Sequence, residues 1–98
     1  MQCHEIVISR AAEGTSRNEL VAAARRLQEW AARQPGFVHR TLVDGGDGTW
    51  VDIVVWRSEA DAKAAAAAFQ SNPAAREVAR MLDANSVRVL HGESVALD

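Results

Sequence analysis

The chain has little of what most directly reveals chemistry. Its 98 residues include one cysteine, Cys3, which excludes an intramolecular disulfide and a cysteine-rich metal site. A nucleophilic role for Cys3 is not expected. There is no CxxC, HExxH, GxSxG or dinucleotide fingerprint. His4 and His91 lie near opposite ends of the chain without ligand spacing, so no metal is expected. Lys and Arg total 11 against 13 Asp and Glu, with no basic block or stripe. A nucleic-acid partner, which needs clustered cations along the phosphate backbone, is therefore not expected. No apolar run approaches the roughly 20 residues of a membrane helix, so no membrane partner is expected either. The opening MQCHEIVISR lacks the basic start and long apolar stretch of a signal peptide. A cytoplasmic location is the default expectation.

What is present describes an ordinary globular domain. The 48% apolar and 24% charged content fits a soluble fold, and residues 1–98 are read as one domain. HEIVIS predicts a first strand over 3–9. Ser16 and Glu19 have the S-x-x-E form of a capping box, and Leu20, Ala23, Ala24, Leu27, Trp30 and Ala31 follow at helical spacing. These predict a helix over 17–34, stopped by Pro35-Gly36, with Trp30 in the core. Strands are expected over 37–43 and 50–56, joined by the glycine-rich turn Asp44–Thr49. A strand follows those glycines, whereas a phosphate cradle needs a helix N-terminus there. Ser58 caps a second helical region over 59–82, broken at Asn72-Pro73, and NSVRVLHGE predicts a fourth strand over 86–92.

The resulting order, β-α-β-β-α-β, specifies an α+β, ferredoxin-like fold with an antiparallel sheet in the order 4-1-3-2. Right-handed crossovers place the helices on one face and leave the other bare. The third strand is apolar on both sides: Val51, Ile53 and Val55 on one, Trp50, Val54 and Trp56 around Asp52 on the other. Both sides of such a strand need cover. A homodimer is therefore expected, with the tryptophans of the hairpin driving the contact.

Candidate chemistry follows from pairing Asp44 with Thr49 across the turn. That register sets Thr41 opposite Asp52, His39 opposite Val54 and Phe37 opposite Trp56. One face would then gather Phe37, His39, Thr41, Trp50, Asp52, Val54 and Trp56, aromatic walls around a few polar groups, as in a small-molecule pocket. Within it His39 and Asp52 form a candidate acid–base pair, since a carboxylate can orient an imidazole that exchanges protons near neutral pH. The alternative is a polar pair satisfied inside a subunit interface. Trp56 is a candidate stacking wall for an aromatic ligand, with a core or interface ring as the alternative. Arg88 could meet a ligand carboxylate or phenolate, or remain solvated.

PGFV, the DGxW turn, the strand VDIVVW and the following RSEADA resemble the antibiotic-biosynthesis monooxygenase-like family of dimeric α+β barrel proteins. The resemblance spans about residues 3–93, and residues 35–73 carry its specific part: strand-ending Trp56, the Ser58 cap, a small-residue helix and Ser71-Asn72-Pro73. It implies two ferredoxin-like sheets paired into one barrel. Its activities include cofactor-independent oxygenation of polycyclic phenols, quinol oxygenation and haem degradation. Trp56 matches the Trp that haem-degrading members use with a first-strand Asn and a second-helix His, but this chain has neither partner. Phenol oxygenases commonly use Tyr as well, and this chain has none. The functions left open are a cofactor-free oxygenase on an aromatic metabolite, a non-catalytic binder of such a molecule, and a structural dimer. No cofactor is expected for any of them.

Overall fold

A computed structural model describes all of residues 1–98. The elements are β1 (Cys3–Arg10), α1 (Arg17–Ala31), β2 (Phe37–Asp44), β3 (Thr49–Trp56), α2 (Glu59–Phe69), α3 (Pro73–Arg80) and β4 (Arg88–Glu93). The sheet order is β2-β3-β1-β4, antiparallel throughout. This is the ferredoxin-like topology that the pattern of the sequence predicts.

Local chemistry accounts for the boundaries. Ser16 accepts the Glu19 amide while the Glu19 carboxylate accepts the Ser16 amide, closing the capping box of α1. Ser58 and Asn72 accept the amides of Asp61 and Ala75 at the starts of α2 and α3. Pro73 sits in the first turn of α3, where its missing N–H leaves nothing unpaired. β4 begins two residues later than expected. Ala84–Ser86 form a 3₁₀ turn instead, held by Asp83 accepting the Asn85 amide and by the Ser86 hydroxyl donating to the Asp83 carbonyl.

The helices lie on the face that carries Cys3 from β1 and Trp50, Val54 and Trp56 from β3. Leu20, Ala23, Ala24, Leu27 and Ala31 of α1, Ala62 and Ala65 of α2 and Ala75 of α3 complete the buried set. The expectation that the tryptophans lie on the bare side is therefore corrected: both are under the helices. The uncovered face is the aliphatic one, with Ile6 and Ile8 of β1, Val43 of β2, Val51, Ile53 and Val55 of β3 and Leu90 of β4. Leu90 is 60% exposed.

The β2–β3 register also differs from the expected one. The Gly45 amide donates to the Thr49 carbonyl at 2.8 Å, enclosing Gly46 and Gly48, both at positive φ. Pairing then starts at Asp44 with Trp50, one residue later than supposed. It runs through Leu42 with Asp52 and Arg40 with Val54 until a bulge at Val38 restores Phe37 opposite Trp56. A one-residue shift exchanges the faces of a strand. His39, now opposite Val55, and Thr41, opposite Ile53, point to the uncovered side; Arg40 and Leu42 point inward. His39 and Asp52 are not a pair.

A candidate active-site cavity between sheet and helices

Between the sheet and the helix layer lies a cavity of about 470 Å³, lined mostly by apolar side chains. Trp50, Val54 and Trp56 form its floor, and Leu20, Leu27 and Trp30 contribute from α1. Alanines of α2 and α3 give the upper side little bulk, which is why space remains there. Trp30 is half-buried, packs edge-on to Phe69 at 6.2 Å, and serves as wall rather than core. Trp56 is 3% exposed. Its ring is backed edge-on by Phe37, at a centroid distance of 5.9 Å and an interplanar angle of 83°. Phe37 thus supports the wall without lining the cavity. Of the residues singled out in the sequence, Trp50, Asp52 and Trp56 border it; His39 and Thr41 do not.

Two charged pairs reach this space. In the first, Arg40 holds Asp52 in a two-oxygen grip: Nε lies 2.9 Å from Oδ1, and Nη2 lies 2.6 Å from Oδ2. Arg40 Nη1 also donates to the Ala24 carbonyl of α1 at 3.2 Å. The side chains of Arg40 and Asp52 are only 6% and 22% exposed. Both oxygens of this carboxylate are thus engaged by one fixed cation. The pair fastens α1 to the middle of the sheet.

The second pair went unrecognised in the sequence. Glu5 of β1 and His91 of β4 are direct cross-strand partners, with His91 Nε2 3.3 Å from Glu5 Oε2. The other Glu5 oxygen, Oε1, accepts the Trp56 indole N–H at 3.5 Å. The signal that could have revealed it is parity. Glu5 alternates with Cys3, Val7 and Ser9, while His91 alternates with Val87 and Val89. In the order 4-1-3-2, β1 and β4 are neighbours.

The remaining reactive groups are disposed otherwise. Cys3 is buried against Val54, Trp56, Ala62 and Ala65. Burial pushes its thiol pKa up, and the carboxylates of Glu59 and Glu5 add to the rise. That is the opposite of an activated nucleophile. His4 turns to the other face, its Nδ1 2.8 Å from the Ser94 hydroxyl. Arg88 pairs with Ile8 on the uncovered side. A second, more open cleft of about 420 Å³ adjoins the first past Trp50 and Arg40, beside Gln28, whose buried Oε1 has no partner.

No family model matches the chain, and no curated protein matches it in sequence. Solved structures do. SnoaB, a cofactor-independent oxygenase from Streptomyces nogalater, superposes with a TM-score of 0.77 at 23% identity, over 99% of this chain and 94% of that one. A candidate antibiotic biosynthesis monooxygenase from Bordetella bronchiseptica gives a TM-score of 0.76 at 17% identity, over 97% and 98%. A dimeric ferredoxin-like protein of unknown function from Jannaschia sp. CCS1 gives 0.74 at 12%, over 96% and 100%. At these identities the likeness is one of fold. The chain has the ferredoxin-like α+β fold of the antibiotic biosynthesis monooxygenase-like proteins.

Proposed function

We propose that the protein is a cofactor-independent monooxygenase acting on a small, electron-rich aromatic compound bound between sheet and helices. The observation that carries this reading is the cavity. Its volume of about 470 Å³ falls within the roughly 300–1,000 Å³ of small-molecule sites. It is apolar, walled by the indole of Trp56, and edged by few polar groups. The fold likeness to SnoaB supports the same reading.

The chemistry asks little of a protein. Loss of a proton makes a phenol or an activated CH₂ group electron-rich enough to pass one electron to dioxygen. The radical pair then collapses to a C–OO⁻ anion, which takes back the proton to become C–OOH, and loss of water with the remaining C–H proton leaves a carbonyl. In sum R₂CH₂ + O₂ gives R₂C=O + H₂O, with the substrate as the only reductant. The site must supply a flat wall for the ring, dry surroundings, and a proton acceptor.

Oxygen uptake with a panel of naphthols, quinols and anthrones tests the reading. Wild-type protein is expected to consume one O₂ per carbonyl formed. Trp56→Leu, which keeps an apolar wall but removes the ring, is expected to lose most of the affinity. Binding without uptake above the buffer rate would leave a metabolite binder in place of an oxygenase.

A second copy of the chain is the proposed cover for the aliphatic face. Ile6, Ile8, Val43, Val51, Ile53, Val55 and Leu90 form one apolar surface, larger than single scattered hydrophobic residues would explain. One of the proteins of like fold is a dimer. Light scattering is expected to return twice the 10.6 kDa of one chain; a folded monomer at micromolar concentration would refute the dimer.

A further inference from the structure

At the β1–β4 end of the cavity three side chains join into one unit. The Glu5 carboxylate lies between the Trp56 indole N–H, 3.5 Å away, and His91 Nε2, 3.3 Å away. All three border the cavity. The side chains of Glu5 and His91 are 21% and 46% exposed, so a ligand and water can both reach them. With Nε2 turned to Glu5, Nδ1 is the ring nitrogen left free for a ligand. The contrast with Arg40 and Asp52 is chemical. A guanidinium cannot give up its proton, whereas an imidazole beside a carboxylate takes one and gives it back.

We infer that His91, oriented by Glu5, is the proton acceptor for the acidic hydroxyl or CH₂ group of an aromatic ligand lying against Trp56. This rests on the reading of the cavity as an oxygenase site. In the step, the ligand's O–H or C–H bond breaks and an Nδ1–H bond forms. The electron pair stays on the ligand, and the new imidazolium is balanced by the Glu5 carboxylate. The imidazolium returns that proton to the C–OO⁻ anion to give C–OOH. His91 then takes the remaining C–H proton as the O–O bond breaks to C=O and hydroxide, and passes it to the hydroxide as water, leaving His91 neutral again. Glu5 is a positioning residue. By accepting the indole N–H it also fixes the base relative to the stacking wall. The charged groups that face His91 are Glu5 from β1 and Glu59 from α2, with Glu93 on its own strand. Glu59 is itself paired with Lys63 at 2.9 Å.

The test uses two readouts on the full chain. With a substrate that the wild type turns over, His91→Ala is expected to lower kcat about a hundredfold or more while KM stays within about threefold. Added imidazole should restore part of the rate, and His91→Gln should resemble His91→Ala. The second readout is 4-nitrophenol, whose absorption reports its ionisation. Bound to wild type it is expected to show the phenolate band at a pH below its own pKa; bound to His91→Ala it should stay neutral. Glu5→Gln keeps an acceptor for the indole N–H, so it should bind the probe but lose the band, and Glu5→Asp should regain part of it. Equal ionisation in wild type and His91→Ala, or no binding by wild type, overturns the assignment. Ionisation without oxygen uptake for any substrate keeps the proton acceptor and removes the oxygenase. Uptake that survives His91→Ala keeps the oxygenase and removes His91.

Discussion

Two carboxylates stand on the same side of the same sheet, and their partners separate their fates. Asp52 in the central β3 is gripped at both oxygens by an arginine that also ties down α1. Glu5, one strand away, shares its oxygens between an indole N–H and a half-exposed histidine. The two carboxylates are equally exposed, at 22% and 21%; in the first arrangement the partner is a buried, permanently charged arginine. In the second the partner is a histidine that is 46% exposed. A carboxylate in a cavity is thus informative only together with what holds it.

Arg40→Ala breaks this comparison with the largest effect. It leaves the Asp52 carboxylate inside without a counter-charge, which costs about 3–5 kcal/mol; urea titration would show it as a lower midpoint. Replacing both members by apolar residues, Arg40→Met with Asp52→Leu, should recover most of the loss, because the pair itself adds little over well-packed hydrocarbon. Glu5→Gln should cost less than about 1 kcal/mol in the same measurement, because the amide still accepts the indole N–H and the partner left behind, His91, is 46% exposed. If the two single variants were equally destabilised, the division into a structural and a chemical pair would fail.

The opposite side of the sheet offers the next contrast. Ile53→Asp, placed in the middle of the aliphatic surface, is expected to convert a dimer into monomers in sedimentation or light scattering, since an unpaired charge is not tolerated in an apolar contact. His39→Ala is expected to leave kcat/KM within about twofold, or about 0.4 kcal/mol of transition-state binding, because its side chain faces away from the cavity.

The smallest effect is that of acid. Asp44 is held below the usual carboxylate range by the Gly46 amide first and by Arg17 next, and Glu77 by its hydrogen bond to Arg26. A carboxylate with a depressed folded-state pKa adds stability above its unfolded value, about 4. That stability is lost as the pH falls through the folded value. A modest drop in the thermal midpoint is therefore expected below about pH 4, reduced in Asp44→Asn.

How far the sequence could be read depended on whether a signal was local. Caps, breaks and strand alternation lie within a few residues of what they control. Ser16, Ser58, Asn72 and Pro73 accordingly act where they were expected to act. Register is different. It depends on how many residues a turn takes and on whether a strand bulges. Here the longer closure at Gly45–Thr49 and the extra residue at Val38 cancel at Phe37. Phe37 therefore meets Trp56 as anticipated, while every pair between the two irregularities is displaced by one. Arg40 entered the cavity in place of His39 for that reason. The Glu5–His91 pair was hidden by distance: 86 positions along the chain separate two side chains that are neighbours across a strand pair.

The alanine run of α2 has a meaning beyond close packing. Ala65 and Ala66, with Ala79 of α3, meet the cavity through single methyl groups. Its capacity is thus set by atoms that these positions do not carry. Leucine or methionine at one of them would keep nearly the same helix-forming tendency, yet occupy space that a ligand would otherwise fill. If the proposed ligand binds here, α2 and α3 act as an adjustable sieve: which guests are admitted would be retuned one side chain at a time, with Trp56, Glu5 and His91 on the sheet left untouched.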